Sequence, residues 1–375
     1  MIALTGWKHS LKRKHNRESR FLGMNSNPFV SVIMPVRNEA NYISRSLAAV
    51  LAQDYPNERM EILVVDGLSS DGTREFISKS RNKLPAFSIA LIDNPEKIVP
   101  AGLNAALQFA CGEIIVRVDG HTIISPDYIR QCVIALQCSG ADNVGGKMNA
   151  IGEGRFGESV AIATSSPFGI GGGRFHYSDL EEYVDTVYMG AWPRNVFNRI
   201  GLFDEELVRN QDDEFNCRLR SFGGRILLSP KIKSQYVVRS SPHSLWTQYF
   251  QYGHWKVRVL QKHPRQMRPR QFVPPAFVAS LLLAVFIAIF HPLGRALLVF
   301  FGLSYLLADL AAALWAATRR GWRFLPLLPI IFPVLHLSYG LGFLFGLVKF
   351  GNRWWDKQGK VPSWSEIETP AVTND

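Results

Sequence analysis

An abrupt change of composition near residue 270 constrains this chain more than any other feature. Up to about Arg270 polar and apolar residues alternate as in a globular domain, whereas 272–350 is mostly Leu, Ala, Val, Ile and Phe. The mean hydropathy of +0.01 therefore averages two unlike parts. Three stretches, 272–290, 296–317 and 324–348, each have roughly the 20 apolar residues that cross a hydrocarbon core. Buried core helices are the competing reading, and three consecutive stretches so poor in charge argue against it. Asp309 is the exception, and an ionisable residue inside a span is either functional or turned toward a neighbouring helix.

The 375 residues carry a net charge of +11, and the basic residues are clustered. One group includes Lys8, Lys12, Arg13, Lys14, Arg17 and Arg20; another includes Lys256, Arg258, Lys262, Arg265, Arg268 and Arg270. Basic clusters can bind nucleic acid, but a cluster beside an apolar span marks the cytoplasmic membrane surface. No interleaving of aromatic and basic residues supports nucleic acid as a partner. The basic approach to the first span and Arg319-Arg320 after the second agree with two crossings. A third crossing would carry Lys349, Arg353, Lys357 and Lys360 to the far side, and Pro326, Pro329 and Pro333 interrupt its first half, which suits a re-entrant or interfacial segment as an alternative. Two or three crossings are therefore compatible with the sequence. The expectation is a multi-pass protein of the inner membrane with its catalytic domain in the cytoplasm.

The four cysteines (Cys111, Cys132, Cys138, Cys217) form no CxxC pair, which fits a reducing compartment without a disulfide framework or a zinc site. The N-terminus lacks the apolar stretch of a signal peptide. The organisation reads as a basic leader (1–28), a catalytic domain (29–260), a basic linker (261–271), a membrane region (272–350) and a polar tail (351–375).

Within 29–260, Val- and Ile-rich runs at 29–36, 61–66, 87–92 and 113–119 predict buried strands, and 73–80, 99–110 and 126–136 predict helices between them. A further helical pattern opens at Asn38-Glu39, with Ile43, Leu47, Val50 and Leu51 on one face. Such alternation predicts an α/β, doubly wound, mostly parallel sheet whose ligands sit beyond the carboxyl ends of the strands. Those ends carry Arg37, Asn38, Glu39, Asp66, Asp71, Asp93 and Asp119. There is no GxGxxG after the first strand and no GxxxxGK[ST], which disfavours dinucleotide and P-loop chemistry. Asp119-Gly120-His121 follows an apolar strand directly, where a hard cation could be held by one or two protein ligands plus phosphate oxygens. Gln211-Asp212-Asp213-Glu214 opens a helix. One acidic residue there satisfies the helix dipole, but three concentrate charge enough to keep one carboxylate basic. Gly171-Gly172-Gly173 resists regular structure and reads as a loop, either an acceptor-side element or an ordinary connection.

With these residues in view, the chain resembles the inverting family 2 glycosyltransferases of the GT-A fold, and within them the ExoA-like branch of exopolysaccharide enzymes. The segments that carry the resemblance are SVIMPVRNEANYI, ILVVDGLSSDGT, VPAGLNAAL, VRVDGHTIISPDYI, IGLFDEELVRNQDDEFNCRLRSFGGRI and YFQYGHWK. The resemblance implies that Pro35, Val36 and Glu39 line the nucleoside site, with Glu39 near the ribose. It places Asp66 against uracil and Asp71 on the same loop. Asp119 takes the metal- and diphosphate-binding position of the DxD motif. His121 replaces the second Asp of that motif and stands either as a metal ligand or against phosphate. Asp212, six residues before Arg218, matches the general base of the ED motif, with Gln211 replacing its Glu; Asp213 and Glu214 follow on the acceptor side. Gln251 to Trp255 has the spacing of the QxxRW motif with His254 for Arg, so Trp255 either lines the acceptor cleft or simply packs.

The resemblance further implies a divalent cation (Mg2+ or Mn2+), a UDP-sugar donor such as UDP-glucose and a lipid-linked saccharide acceptor. Other polysaccharide-assembly proteins would be partners. Two rivals are weaker. A nucleotidyltransferase would need a Gly-rich triphosphate loop that Pro35–Glu39 does not supply. A non-catalytic assembly subunit would not need to retain Asp66, Asp119 and Asp212.

Overall fold

The computed structural model describes residues 27–83, 87–171 and 173–364. Nearly all of the basic leader, Gly172 and residues 365–375 of the tail lie outside the described residues. Strands β1 (Val30–Val36), β2 (Met60–Asp66), β3 (Ser88–Asp93), β4 (Ile114–Arg117) and β5 (Thr122–Ile124) come first. β6 (Asn143–Ile151), β7 (Glu182–Val184), β8 (Ala191–Pro193) and β9 (Ile226–Val237) follow. They form one sheet of order β3-β2-β1-β4-β8-β6-β9-β5, with β7 on β9. The half made of β3, β2, β1 and β4 is parallel, while β8 runs antiparallel to both β4 and β6. The sheet is thus mixed, as a GT-A fold requires, and its first four strands are the four read from the sequence.

The helices are α1 (Ile43–Leu51), α2 (Thr73–Lys83), α3 (Val99–Phe109), α4 (Tyr128–Ser139), α5 (Gly154–Thr164) and α6 (Pro167–Ile170). They continue as α7 (Asn195–Ile200), α8 (Gln211–Ser221), α9 (Pro242–Lys262), α10 (Val273–Phe290), α11 (Pro292–Arg320) and α12 (Leu328–Lys349). Because strand side chains alternate faces, Val30, Val32, Met34 and Val36 of β1 pack against α1 and α4. Ile33 points the other way, into a second layer with Leu103 of α3, Phe197 of α7 and Phe215 of α8. With helices on both faces, the central strands read as continuous apolar runs.

Three apolar helices are long enough to cross a membrane: Pro269–Phe290, Pro292–Arg320 and Leu328–Lys349. The third is continuous despite its prolines. Pro329 lies in its first turn, where the missing N–H was unpartnered anyway, and only Pro333 is internal. α12 packs along α9 backbone to backbone. A Cβ added at Gly253 would collide with the Tyr339 carbonyl, and one at Gly342 with that of Phe250. Small residues at such a seam let two helices approach closely.

Candidate active site

The parallel register aligns Val36 with Asp66, and Asp66 with Asp93, so three strands end side by side. Asn38, in the left-handed region at φ 53°, turns the chain after β1. Its side-chain oxygen accepts from the Ser70 N–H at 3.0 Å, and its own N–H donates to Ser69 Oγ at 2.9 Å. The loops after β1 and β2 are therefore clamped together. Beyond these ends opens a cavity of about 1460 Å³. Pro35, Val36, Glu39, Asp119, His121, Asp212 and Asp213 all line it.

Asp119 is gripped by Arg117 in a two-point pair, Nε to Oδ1 at 2.6 Å and Nη2 to Oδ2 at 3.1 Å. Paired and hydrogen-bonded in this way, both buried charges are tolerated. The third guanidinium nitrogen of Arg117, Nη1, is buried without a partner. Glu39 accepts from Nδ1 of His121 at 2.9 Å. That bond fixes the tautomer and leaves Nε2 free, the arrangement that orients a metal-ligating imidazole. Among the described residues no group of three or more His, Cys, Asp or Glu could hold a metal ion. Asp119 and His121 together fit a cation that completes its shell with phosphate oxygens.

The three carboxylates that open α8 diverge, because successive helix residues are about 100° apart. Asp212 faces the cavity. Burial pushes its carboxyl above the ordinary value; Arg117 opposes the rise, while Asp213 and Asp119 add to it. Asp213 lines the cavity paired with Lys256. Glu214 points inward to Arg218 at 2.9 Å and His263 at 2.8 Å. Burial alone would raise Glu214, but Arg218 and His263 outweigh it and hold the carboxyl at about 2. The start of α8 is fastened to α9, since Arg209 Nε donates to Gln251 at 3.0 Å and Asn210 Nδ2 to the Tyr252 carbonyl at 2.8 Å.

Residues 31–201 match the family described as Glycosyl transferase family 2. The chain carries a family 2 glycosyltransferase domain. Among its relatives is the succinoglycan biosynthesis protein ExoA of Rhizobium meliloti (strain 1021), 28% identical over 329 residues, 86% of this chain and 96% of that protein. A second relative comes from Methanococcus voltae. It is dolichyl N-acetyl-alpha-D-glucosaminyl phosphate 3-beta-D-2,3-diacetamido-2,3-dideoxy-beta-D-glucuronosyltransferase, 28% identical over 330 residues, 86% of this chain and 98% of that protein. A solved structure of similar fold is the mannosyltransferase PcManGT from Pyrobaculum calidifontis in complex with GDP-Man and Mn2+. It has a TM-score of 0.57 and 20% identity, covering 93% of this chain and 98% of that one.

Four of the expected site residues, Asp66, Asp71, Glu214 and Trp255, are not on the cavity wall. The Asp66 carboxylate is fully buried, bound to Ser69 and to Arg74 at 3.1 Å, while its neighbours Val65 and Gly67 line the cavity. Asp71 bonds Thr73 Oγ1 at 2.6 Å and the Ala40 N–H at 3.0 Å, which makes it a loop clamp. Its carboxyl is held below the usual range because these hydrogen bonds outweigh desolvation. Glu214 is buried between Arg218 and His263. Trp255 packs 5.6 Å from the Phe350 ring and is not on the cavity wall; Gln251 and Tyr252 of its segment are. Arg117 was the residue that sequence reasoning missed. A lone charge inside the apolar strand 114–118 was its signal.

Proposed function

We propose that this family 2 transferase moves a sugar, glucose from UDP-glucose, onto a lipid-linked saccharide during exopolysaccharide assembly. The observation that carries the lipid-linked acceptor is the continuity of the cavity. It runs from Asp119 and Asp212 to Phe168 of α6, then to Phe277 of α10, Phe301 and Tyr305 of α11, and Leu335 of α12. A nucleotide sugar needs only its polar end. The apolar end suits an isoprenoid chain entering from a membrane, and the name of the Methanococcus voltae relative specifies a dolichyl-linked sugar phosphate.

In this reading the acceptor hydroxyl attacks the anomeric carbon as the bond to the diphosphate breaks, with inversion. Asp212 takes the hydroxyl proton, a role that its raised carboxyl pKa favours. Arg117 tempers that basicity and holds Asp119 in place. Asp119 and His121 Nε2 would hold a divalent cation, with Glu39 orienting the imidazole. The cation, when bound, supplies positive charge to the leaving diphosphate. Asp213 keeps Lys256 charged and fixed beside the base, and Arg37 and Lys97 add positive charge at the donor end.

The test presents the purified full chain with a panel of nucleotide sugars. Each is combined with an undecaprenyl-diphosphate-linked saccharide or with the same saccharide in water-soluble form. Release of UDP from UDP-glucose, dependent on the lipid-linked acceptor, is expected. Equal turnover with the soluble saccharide would remove the argument from the apolar end of the cavity.

A further inference from the structure

The three apolar helices do not have equivalent surroundings. Of the apolar stretch of α12, 44% is buried within the protein, compared with 17% and 11% for those of α10 and α11. Both ends of α12 are tied to the catalytic domain. Just before its start, Arg323 donates to Glu158 of α5 at 2.8 Å, and Arg155 donates to the Arg323 carbonyl at 3.2 Å. Just after its end, Gln261 of α9 donates to the Phe350 carbonyl at 2.8 Å, and Arg353 pairs with Glu206 at 2.5 Å. Its 22 residues make a rod of about 33 Å at 1.5 Å per residue, the full thickness of a hydrocarbon core. A rod of that length cannot cross a bilayer while both ends bind one domain on one side of it.

The chain beyond α12 confirms on which side it stays. The Lys360 N–H donates to Asp204 at 2.8 Å, the Glu205 N–H to the Lys360 carbonyl at 2.9 Å, and the Leu202 N–H to the Pro362 carbonyl at 3.0 Å. The tail is therefore laid onto the catalytic domain as an added strap. By contrast, α10 and α11 form a hairpin that turns at His291, where the Gly294 backbone approaches Ala288, and that stays packed as far as the Phe277–Tyr305 ring pair, 4.6 Å apart. They expose Phe286 (60%), Ile289 (69%), Phe290 (73%) and Val299 (66%). Apolar exposure on that scale needs lipid around it.

We propose that this chain crosses the bilayer twice. In this topology α10 and α11 form the transmembrane hairpin, and α12 is an in-plane helix clamped between lipid and the catalytic domain. Ile330, Phe345 and Val348, all exposed, form its lipid-facing edge. Charge agrees: between Gln271 and Thr318 the only Lys or Arg is Arg295, near the turn. Arg268, Arg270, Arg319, Arg323, Lys349 and Arg353 all remain on the catalytic side, as the positive-inside tendency requires. The conflict raised by a third crossing disappears.

The test uses the full chain in sealed vesicles with a membrane-impermeant maleimide. Cys111 and Cys138 are exposed on the catalytic domain and mark its side; Cys132 and Cys217 are buried. In a background lacking the two exposed cysteines, Trp355→Cys (the native side chain is 93% exposed) and Arg295→Cys are made separately. Trp355→Cys is expected to label from the side marked by Cys111 and Cys138, and Arg295→Cys from the opposite side. Labelling of Trp355→Cys from the far side would overturn the in-plane helix. Labelling of Arg295→Cys from the catalytic side, or only after detergent, would overturn the crossing hairpin. As a check free of substitutions, protease on the catalytic side should remove an epitope appended after Asp375, and its protection would contradict the proposal.

Discussion

Replacing Arg117 by Met should separate the tuning of the proposed base from its presence. Arg117 is buried and holds Asp119 at 2.6 and 3.1 Å, and its charge also opposes the upward shift of Asp212. Removing it leaves two half-buried carboxylates without their cation. Breaking a buried pair on one side costs on the order of 3–5 kcal/mol of stability. Burial already holds the Asp212 carboxyl above its ordinary value and Arg117 opposes that rise, so losing Arg117 should push Asp212 higher still. A base works when deprotonated, so the acid limb of kcat/KM against pH must move to higher pH. Nucleotide release measured from pH 4 to 9, on protein shown to be folded by its unfolding transition, gives both quantities. An acid limb that stays in place in a folded Arg117→Met protein would show that Arg117 does not act on the proton acceptor.

Three further outcomes follow from the site. Asp212→Asn should raise stability at neutral pH. The native carboxyl binds a proton more tightly than the unfolded one, so the parent loses stability as pH rises through that window, and the gain over the parent should vanish in acid; a gain independent of pH would contradict the raised pKa. Glu214→Gln should cost about 3–5 kcal/mol in denaturant titrations at pH 7 with turnover per folded molecule retained. Because Glu214 sits at about 2, its stabilisation is complete above the unfolded carboxyl pKa and is lost as pH falls toward that value. Glu39→Gln should weaken activation by Mn2+ roughly 10- to 100-fold, as loss of a partner that orients a ligating imidazole does; unchanged activation would place His121 against phosphate instead.

The parallel half of the sheet was legible because β1, β2 and β4 are buried on both faces and read as unbroken apolar runs. The antiparallel strands β5, β7 and β8 are three residues each. They carry no periodicity long enough to detect. At the site, sequence position identified residues that follow strand ends but not where their side chains point. Asp66 and Asp119 both end apolar runs, yet Arg74 and Ser69 draw one into a loop while Arg117 holds the other on the cavity wall. Divergence around α8 likewise separates Asp212 from Glu214, two residues that look equivalent in QDDE. The three apolar stretches of the membrane region, read as two or three helices, form three in the structure. What α12 packs against could not be read, because Gly253, Gly342 and Gly346 form a seam only when α9 and α12 are brought together.

The central claim is that Asp212 removes the acceptor proton in a cavity that also holds a nucleotide-sugar donor. The direct measurement compares Asp212→Asn with the parent for UDP binding by titration calorimetry and for acceptor-dependent sugar transfer. The account predicts unchanged UDP affinity and transfer reduced by at least the 10²–10⁴-fold that a general base contributes. Transfer near the parental rate, with UDP bound as before, would contradict it.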